Sequence, residues 1–434
     1  MKGFVGIVWV FFGVILSANG QHTFHSLQEV WTYALQKNPN NLVWDLQVEK
    51  ANKDKKAAYS YLYPKIGIGI SGQYNLEIPE TPIPGEVLGR PGETVYAQFG
   101  QTFNYTQGIS VSKTLLDWHS KFQAKIAASN TNLARAEKAL FEQNLKQQLA
   151  QVYYAAITSQ AAVHLAEKDL LLADSTLMLT QNSFQQGLIN ILTLNQAKIN
   201  QNNAFDRLEQ NKKYLFEHEM NLKILLGLSP KDTFRLSESL ELDENSKIES
   251  ISPDNLSLNT YKIQTENAHF ATKQALGRFS PKLDIITYWG SIQYQDDLSL
   301  SFNSNDWLEN RYIGLNLSIP IFTGFANKNQ FQSSKISRNI AQMHYDEAKR
   351  TSSLNDSILL NNCVIAKHSA KTAKENLQLA NENVQLSYKK YAEGLISLDN
   401  YLSAFDDYLN VENQYFSRLS DFLITKAIIQ SRNN

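Results

Sequence analysis

Few residue patterns in this chain could support catalysis. Gly67, Gly69 and Gly72 match the Gly-x-Gly-x-x-Gly spacing that holds a dinucleotide pyrophosphate at the start of a helix. That chemistry needs a helix directly after the glycines, and no helical pattern follows them in this unit. Isoleucine alternates with glycine instead, which indicates the small face of a β-strand. We therefore expect a strand here and no nucleotide site.

The other chemically competent side chains are isolated. His22 and His25 lie near a mature N-terminus that we expect to be flexible, with no further ligands beside them. Cys363 is the only cysteine, which excludes a disulfide, and it falls in a helical run where a small packed side chain is expected. No serine lies in a nucleophile elbow. The sequence predicts no catalytic residue, no metal site and no cofactor, and so a protein that is not an enzyme.

The composition indicates a folded, exported protein. The chain has 434 residues, 43% of them hydrophobic, and a net charge of −1, so it shows no basic bias toward nucleic acid. Residues 1–20 are typical of a secretory signal peptide, with Lys2 before a short apolar segment and the small residues Ala18 and Gly20 before the expected cleavage. No later segment has about 18 consecutive apolar residues, the length expected of a transmembrane helix.

Four long runs without glycine or proline dominate the remaining sequence. Because these two residues are the strongest helix breakers, each run is predicted to be helical. The first run has about 70 residues, and at 1.5 Å rise per residue it would be roughly 100 Å long. A single glycine separates the runs within each pair, so we predict two long helical hairpins. The runs and the two glycines are 117–186, Gly187, 188–226, 325–393, Gly394 and 395–434.

A pair of β-strands is predicted ahead of each hairpin. Apolar residues alternate with small or polar ones, which indicates one apolar and one polar face. The clearest case has Ile313, Leu315 and Leu317 at alternate positions. The segment 79–101 is rich in proline and glycine and is predicted to be a loop. The four strands are predicted at 66–78, 107–116, 283–295 and 311–322.

The second half of the chain repeats the plan of the first. Leu116 and Gly187 are 71 positions apart, and Phe322 and Gly394 are 72 apart. The helical lengths are kept while the loop between the strands varies, as expected for a tandem repeat of roughly 200 residues. The predicted domains are a signal peptide at 1–20, a first repeat at 21–227 with its hairpin at 117–227, a linker at 228–260, and a second repeat at 261–434 with its hairpin at 325–434.

The predicted strands require partners from other chains. Each has about the length that a tilted strand needs to cross a bilayer, and one polar face is typical of a barrel with a wet interior. Four strands cannot close a barrel, since about eight is the practical minimum. In lipid, an open sheet edge would leave backbone groups unpaired at a cost of several kcal/mol each. Copies of the chain must therefore pool their strands, which gives eight in a dimer and twelve in a trimer.

Several short motifs cover nearly the whole mature chain, and each is weak alone. They are Leu27, Ala34, Leu35 and Asn38-Pro39 in the first helix, Pro64 before the first strand, Leu115-Leu116-Asp117 and Pro320-Ile321-Phe322-Thr323-Gly324 at the strand-to-helix junctions, Tyr153, Leu225-Leu226-Gly227, and the turn glycines Gly187 and Gly394. Taken in this order, they resemble the TolC-like outer-membrane factors, the exit ducts of efflux pumps and type I secretion systems.

The resemblance implies a mainly α fold with a small antiparallel β part. It implies a homotrimer in which four strands per chain build a shared 12-stranded barrel in the outer membrane of a Gram-negative bacterium. The helical hairpins would continue the barrel as a periplasmic tunnel, with the segments 41–62 and 228–260 as a belt around its middle. Outer-membrane lipid, a periplasmic adaptor protein and an inner-membrane pump of the resistance-nodulation-division or ABC type are the implied partners.

The hairpin turns are where the resemblance places adaptor docking. Apart from the glycines these residues are apolar, and an apolar patch at an exposed tip usually has a partner. Packing of one tip on the other is an equal alternative. The predicted tip residues are Gly187, Leu188, Ile189, Gly394, Leu395 and Ile396.

The same end would form the periplasmic aperture of the channel. Some relatives carry acidic rings six and nine positions after the second turn glycine, where this chain has Asn400 and Ser403, with Asp399 out of register. Tyr391 matches a tyrosine of the family, whereas Thr193 replaces an acid of the first repeat. We therefore expect weak cation selectivity and closure by polar and apolar packing. Block by multivalent cations that Asp399→Ala removes would contradict this expectation.

Two functions fit these patterns. The first is a passive outer-membrane exit duct, with porin activity, for substrates that a pump and an adaptor deliver. The second is a periplasmic or secreted coiled-coil scaffold without a pore, with an adhesive or structural role. A duct should be membrane bound and trimeric, whereas a scaffold should be extractable without detergent. The neutral pore lining identifies neither the cargo nor the particular partners.

Overall fold

The computed structural model describes residues 22–238, 240, 242, 246–252 and 255–433, and the predicted signal peptide lies outside these residues. The chain divides into two compact units. The hairpin unit contains Met1–Asp45, Glu137–Leu256 and Lys349–Asn434, and the sheet unit contains Leu46–Ala136 and Ser257–Ala348. Each unit combines segments from both predicted repeats, because the longest helices run through both units. The two compact units therefore do not coincide with the two predicted repeats.

Long helices and short strands alternate along the described chain. The helices are α1 Leu27–Lys37, α2 Pro39–Ala58, α3 Trp118–Gln185, α4 Ile191–Leu226, α5 Leu256–Gly277, α6 Ala326–Ala392 and α7 Leu398–Asn433. The strands are β1 His22–Phe24, β2 Lys65–Tyr74, β3 Glu80–Pro84, β4 Thr94–Gln98, β5 Phe103–Leu116, β6 Phe234–Leu236, β7 Lys282–Gln295 and β8 Leu308–Ser318. Among these helices, none combines the length and the apolarity that a membrane span requires.

The sheet unit is built on one four-stranded antiparallel sheet. Its strands follow the order β2-β5-β7-β8, so β2 and β8 are its two edges. Ile109 of β5 pairs with Ile68 of β2 on one side and with Trp289 of β7 on the other. Residues directly opposite each other project from the same face of a sheet. The register therefore decides which side chains share a face.

The two faces of this sheet differ in polarity. The apolar face includes Ile68, Ile313 and Leu315, whose exposures are 79%, 74% and 70%. On the polar face, Tyr288 lies over two glycines, and a Cβ atom added to Gly108 would come within 2.7 Å of its ring. The apolar face carries mainly apolar residues, namely Ile66, Ile68, Ile70, Ile109, Val111, Leu283, Ile285, Trp289, Ile313, Leu315 and Leu317, together with Gln107, Lys113, Thr287, Glu309 and Arg311. The polar face carries mainly small or polar residues, namely Gly67, Gly69, Ser71, Thr106, Gly108, Ser110, Asp284, Tyr288, Gly290, Asn310, Tyr312, Gly314 and Asn316, together with Ile286, Ile292 and Leu308.

The strand ends differ from those predicted. β2 ends at Tyr74 rather than 78, and β5 begins at Phe103 rather than 107. β8 runs from Leu308 to Ser318 rather than over 311–322, and it stops before Pro320, which lacks the N–H of a ladder hydrogen bond. Alternation of apolar residues locates a strand well but marks its ends poorly.

Two short strand pairs were not predicted. β3 and β4 pair antiparallel within 79–101, where only a loop was expected. That expectation was wrong because proline is compatible with the outer side of an edge strand. β1 pairs in parallel with β6, so the segment at His22–Phe24, predicted to be flexible, is held by Phe234–Leu236.

The apolar core of the described chain lies in the hairpin unit. Its three clusters centre on the buried side chains of Tyr153, Phe422 and Tyr401. Cys363 is fully buried in the second cluster, in agreement with the packed role predicted for it. In the sheet unit, the buried residues are few and mainly small or polar, as Ala124, Ala275 and Thr272 illustrate. The two units are therefore stabilised differently.

The end of the first hairpin packs against the end of the first helix. Asn38 donates its side-chain N–H to the carbonyl of Leu225 at 2.7 Å. Gly227 ends α4 with φ +71°, and a Cβ atom there would lie 2.8 Å from the Lys37 carbonyl and 2.8 Å from Cδ of Pro39. Two motifs far apart in sequence thus meet at one close backbone contact.

Candidate functional site

The first hairpin turn has a defined backbone geometry. Gly187 has φ +71° and donates its N–H to the carbonyl of Phe184 at 2.9 Å. Leu188 donates its N–H to the carbonyl of Ser183 at 2.9 Å. This pair of hydrogen bonds is the Schellman motif, which ends a helix and favours glycine at the left-handed position.

The second hairpin turn repeats this geometry. Gly394 has φ +74° and donates to the carbonyl of Tyr391 at 2.9 Å, and Leu395 donates to the carbonyl of Lys390 at 2.8 Å. The two turns were matched in sequence by one glycine and two apolar residues. Their backbones match as well, so each long helix reverses direction by the same device.

Capping interactions account for two of the predicted aperture residues. After the first turn, Asn190 accepts a hydrogen bond from the backbone N–H of Thr193 at 3.0 Å and from its hydroxyl at 3.2 Å. After the second turn, Ser397 accepts one from the backbone N–H of Asn400 at 3.3 Å. Thr193 and Asn400 therefore lie in the first turns of α4 and α7. Their local role is to start these helices.

The predicted tip residues are not equally exposed. Leu188 and Leu395 are 71% and 68% exposed. Ile189 is half-buried, and Ile396 packs against the third apolar cluster. Leu192, which the sequence did not single out, is 71% exposed in the first turn of α4. The apolar surface at the tips thus consists of Leu188, Ile191, Leu192 and Leu395, while Ile396 belongs to the packing beneath it.

Tyr391 joins the two hairpins near the turns. Its hydroxyl lies 2.9 Å from Oγ1 of Thr180 on α3, and its ring stacks on Tyr401 of α7 with centroids 5.7 Å apart. Asp399 and Ser403 are exposed on α7, where Asp399 lies in the first helical turn and its negative charge favours the helix dipole. Of the five predicted aperture residues, only Tyr391 forms a tie between hairpins in the described residues.

Sequence reasoning missed most of the surrounding cluster. Thr176 and Thr180 are both fully buried on α3. Thr176 donates to the hydroxyl of Tyr401, and Tyr401 also contacts the rings of Tyr388 and Phe405. Burial raises the pKa of Tyr401 to about 12. One sequence pattern could have indicated this cluster. Thr176 and Thr180 are four positions apart, as are Tyr401 and Phe405, so each pair lies on one face of its helix. This threonine–aromatic cluster closes the seam between the hairpins above their turns.

A buried carboxyl pair lies further along the same helices. Asp169 on α3 and Glu412 on α7 are each 6% exposed. Burial, assisted by the negative charge of Glu412, raises the pKa of Asp169 to about 7, although Arg207 on α4 acts in the opposite direction. Burial also raises the pKa of Glu412, which accepts a hydrogen bond from the hydroxyl of Tyr408. Sequence reasoning gave no indication of this pair.

The carboxyl pair lines a cavity between α3, α6 and α7. Its volume is about 590 Å³. Nη1 of Arg207 is buried nearby and makes no hydrogen bond within the described residues. Two acids, one cation and a tyrosine therefore lie close together in the hairpin unit. The polar residues that line the cavity are Lys168, Asp169, Lys374, Gln378, Asn381, Gln385, Tyr408, Tyr415 and Glu412.

The residues with potential for catalysis are placed in structural roles. Gly67, Gly69 and Gly72 lie on β2, as the alternation predicted. His25 shares a hydrogen bond with Ser237 at 2.8 Å. Within the described ranges, no group of three or more histidine, cysteine or acidic side chains could hold a metal ion.

The family of the chain follows from its match to a family model. The model of the outer membrane efflux proteins covers residues 31–228 and 257–427, which is most of both repeats. The chain belongs to the outer membrane efflux protein family. The family and the fold are those of transport channels rather than enzymes.

Solved structures of outer-membrane channels share this fold. The CmeC channel of Campylobacter jejuni superposes with a TM-score of 0.77 at 18% identity, over 94% of this chain and 85% of that one. VceC of Vibrio cholerae gives 0.73 at 17% identity, over 94% and 96%. The open state of MtrE of Neisseria gonorrhoeae gives 0.75 at 16% identity, over 94% and 88%. At these identities the likeness establishes the TolC-like fold, a mainly helical chain with a small antiparallel sheet.

As an outer membrane efflux protein, the chain is an efflux channel of the outer membrane with an extension into the periplasm. The scaffold without a pore, the second function considered from the sequence, is not supported. The family generally works with periplasmic adaptors and inner-membrane pumps. The hairpin tips and the threonine–aromatic cluster are thus the residues to consider for docking and closure.

Proposed function

We propose that the chain is the homotrimeric exit duct of a tripartite efflux or type I secretion system. Three copies pool their sheets into a 12-stranded barrel, and their hairpins form the periplasmic tunnel. An inner-membrane pump of the resistance-nodulation-division or ABC type, with its adaptor, delivers the substrate, which passes through without further chemistry. The repeats at 21–227 and 261–434 supply equivalent parts of each protomer, and the linker at 228–260 belongs to the belt around the tunnel.

The open sheet is the observation that carries this proposal. Its edges β2 and β8 have no strand partner in the described chain, although an unpaired edge in lipid costs several kcal/mol for each unsatisfied group. Successive strands of the sheet are antiparallel, so β2 and β8 run in opposite directions. The β8 edge of one chain can therefore continue into the β2 edge of the next without breaking the antiparallel pattern.

The two faces of the sheet support the same arrangement. The exposed isoleucines and leucines of the apolar face suit contact with lipid acyl chains. The opposite face carries glycine, serine, threonine and asparagine, as expected for a water-filled lumen. β7 has 14 residues, more than the 9–11 that a tilted strand needs to cross a bilayer.

An edge-to-edge disulfide tests the trimer. Gly69→Cys on β2 is combined in turn with Gly314→Cys and Asn316→Cys on β8, in a Cys363→Ala background. Both glycines have open space around an added Cβ atom. We expect oxidation to give covalent species of up to three chains, and light scattering to give the mass of three chains in detergent. The single variants should give at most covalent dimers. A water-soluble monomer would overturn the proposal.

The tip leucines are proposed to dock the adaptor. Leu188 and Leu395 are exposed at equivalent turns, and such apolar patches usually bind a partner. We expect Leu188→Asp with Leu395→Asp to abolish photo-crosslinking of the adaptor to the tips in cells while the oligomeric mass stays unchanged. The matched control, Leu188→Met with Leu395→Met, keeps an apolar surface and should retain crosslinking. Undiminished crosslinking in the aspartate variant would place docking elsewhere.

Closure is proposed to depend on packing rather than on an acidic ring. The contact of Tyr391 with Thr180 and Tyr401 supports this, as does the absence of acids at Asn400 and Ser403. We therefore expect weak cation selectivity. Single-channel recordings with multivalent cations on the periplasmic side measure it, and block that Asp399→Ala abolishes would contradict it.

A further inference from the structure

A belt of aromatic and lysine side chains lies where the strands of the sheet unit give way to its helices. Trp118, Phe122 and Lys125 recur at spacings of four and three, so they share one side of α3. Nζ of Lys121 lies 4.3 Å from the ring centroid of Trp118, and Nζ of Lys125 lies 5.6 Å from that of Phe122. Each lysine is therefore held over a ring.

The belt continues across α5 and α6. Lys125 also lies 5.7 Å from the ring of Phe270, and Lys273 lies 5.8 Å from the ring of Phe122. The rings of Phe279 and Phe331 meet at 6.5 Å, which brings α6 into the same surface. We define the aromatic–lysine belt as Trp118, Lys121, Phe122, Lys125, Phe270, Lys273, Phe279, Phe325, Lys328, Phe331 and Lys335.

The whole junction zone is strongly basic. The segments 50–65, 113–125, 269–284 and 322–338 contain 14 lysines and arginines but only 3 aspartates and glutamates, in a chain whose net charge is −1. All 14 basic residues are exposed.

The three acids of the zone are already engaged. Asp54 pairs with Lys50 at 2.8 Å, Asp284 pairs with Lys282 at 3.1 Å, and Asp117 accepts hydrogen bonds from Ser120. The five belt lysines are held over rings and form no ion pair within the described residues. Their positive charge is thus available to a ligand from outside the chain.

The opposite end of the sheet has the reverse charge. The segments 75–102 and 296–307, beyond the other ends of the strands, contain seven acidic residues and one basic residue. The basic residues are therefore concentrated at the end of the sheet that joins the helices, and this end would lie at one surface of the membrane. On the proposed orientation this surface is the periplasmic one.

We propose that the aromatic–lysine belt binds the anionic headgroups of phospholipids in the periplasmic leaflet of the outer membrane. Aromatic rings beside an apolar protein surface are typical of the membrane–water interface, and lysines there attract anionic lipid. From Trp118 to Lys125 the belt rises roughly 10 Å along α3, comparable to one headgroup layer. The proposal places the belt on the outer side of the assembly, where such rings meet lipid headgroups.

This inference rests on the proposed barrel, since the belt meets the bilayer only if the strands span it. The test therefore records the oligomeric mass and the single-channel conductance of every sample. Failure of those two measurements would count against the duct, while lipid retention tests the belt alone.

Lipid retention is measured by native mass spectrometry after reconstitution in equal parts of phosphatidylglycerol and phosphatidylcholine. We expect the wild-type assembly to retain phosphatidylglycerol in preference, and Lys121→Gln with Lys125→Gln and Lys273→Gln to remove that preference. The expected loss is about fivefold per lysine. Glutamine keeps a good helix former at each position. The matched control replaces three exposed lysines of α4, Lys198, Lys212 and Lys213, with glutamine.

The outcomes separate the belt from general charge effects. Retention that falls in the belt variant, stays in the control variant and weakens as salt is raised supports the proposal. No preference in the wild type, equal loss in both variants, or displacement by inorganic phosphate at constant ionic strength overturns it. If the triple variant does not assemble, Lys328→Gln with Lys335→Gln on α6 is measured instead, and it should also weaken the preference for phosphatidylglycerol.

Discussion

Replacement of Asp169 by asparagine should stabilise the hairpin unit at neutral pH. Asp169 is 6% exposed, and burial together with the charge of Glu412 raises the pKa of its carboxyl to about 7. The amide of asparagine has nearly the same shape and cannot ionise. The substitution therefore removes the cost of a buried charge while it leaves the packing of α3 and α7 in place.

The size and sign follow from the pKa difference between the folded and unfolded states. The ordinary pKa of an aspartate is 3.8, so the folded state binds its proton more tightly by about three pH units. At about 1.36 kcal/mol per unit, ionisation costs the folded state roughly 4 kcal/mol. This penalty is absent below pH 4, grows between pH 4 and 7, and is complete above 7. Stability therefore falls as pH rises through that window.

Denaturant unfolding in detergent, followed by helical circular dichroism across this pH range, measures the effect. We expect the wild type to lose stability as pH rises and the Asp169→Asn variant to lose much less. Asp174→Asn, a change of the same type at an exposed position of α3, is the matched control and should follow the wild type. In the Glu412→Gln variant, the loss of stability should be complete at a lower pH than in the wild type, because the variant lacks the negative charge that helps to raise the pKa of Asp169.

Two results would refute this reasoning. If Asp169→Asn and Asp174→Asn showed the same dependence on pH as the wild type, Asp169 would not titrate in this window. If Asp169→Asn were destabilising at every pH, the carboxylate of Asp169 would be stabilising the fold as an ion-pair partner of Arg207, and its buried charge would not be destabilising.

Three further substitutions test other contacts. Gly227→Ala should lower the free energy of unfolding by about 1–2 kcal/mol because of its positive φ, and by more because the added Cβ atom would overlap the end of α1. Gly187→Ala has the same φ of +71° but open space around the added atom, so thermal melts should show the backbone effect alone. Trp31→Phe should lower the free energy of unfolding by about 1–3 kcal/mol, because it removes the hydrogen bond that the indole N–H donates to the carbonyl of Lys146 on α3 at 2.8 Å. An unchanged unfolding midpoint would mean that this bond contributes nothing. Tyr391→Phe should raise the basal conductance of the closed channel by untying the hairpins, and Tyr388→Phe, whose ring makes the comparable aromatic contact, should not.

The long helices and the main sheet could be predicted because they depend on local rules. A glycine between two runs without helix breakers decides where each hairpin turns, and Gly187 and Gly394 occupy those turns. Period-two alternation decides where a strand lies. The pairing of β1 with β6 could not be predicted, because three residues carry no period and their partner lies more than 200 positions away. Ends of strands depend on hydrogen-bond partners, which the sequence does not specify.

In the candidate site too, the residues with local sequence features could be predicted and those that depend on packing could not. The turn glycines are local features and were found, and Tyr391 was found by resemblance to a family. Asp169 and Glu412 were missed, since each looks like an ordinary acid in a polar helical run. Their burial depends on which faces of α3 and α7 meet, and that is decided by packing over more than 200 positions of sequence.

The concentration of all three apolar clusters in the hairpin unit bears on how the protein matures. We expect this unit to fold early, while the chain is still in the aqueous periplasm, because its driving force is internal. The sheet unit buries mainly small or polar residues. In the proposed barrel, acyl chains and neighbouring protomers would supply its apolar contacts. We therefore expect an assembly intermediate in which the helices are ordered while the strands still lack their lipid and protomer contacts.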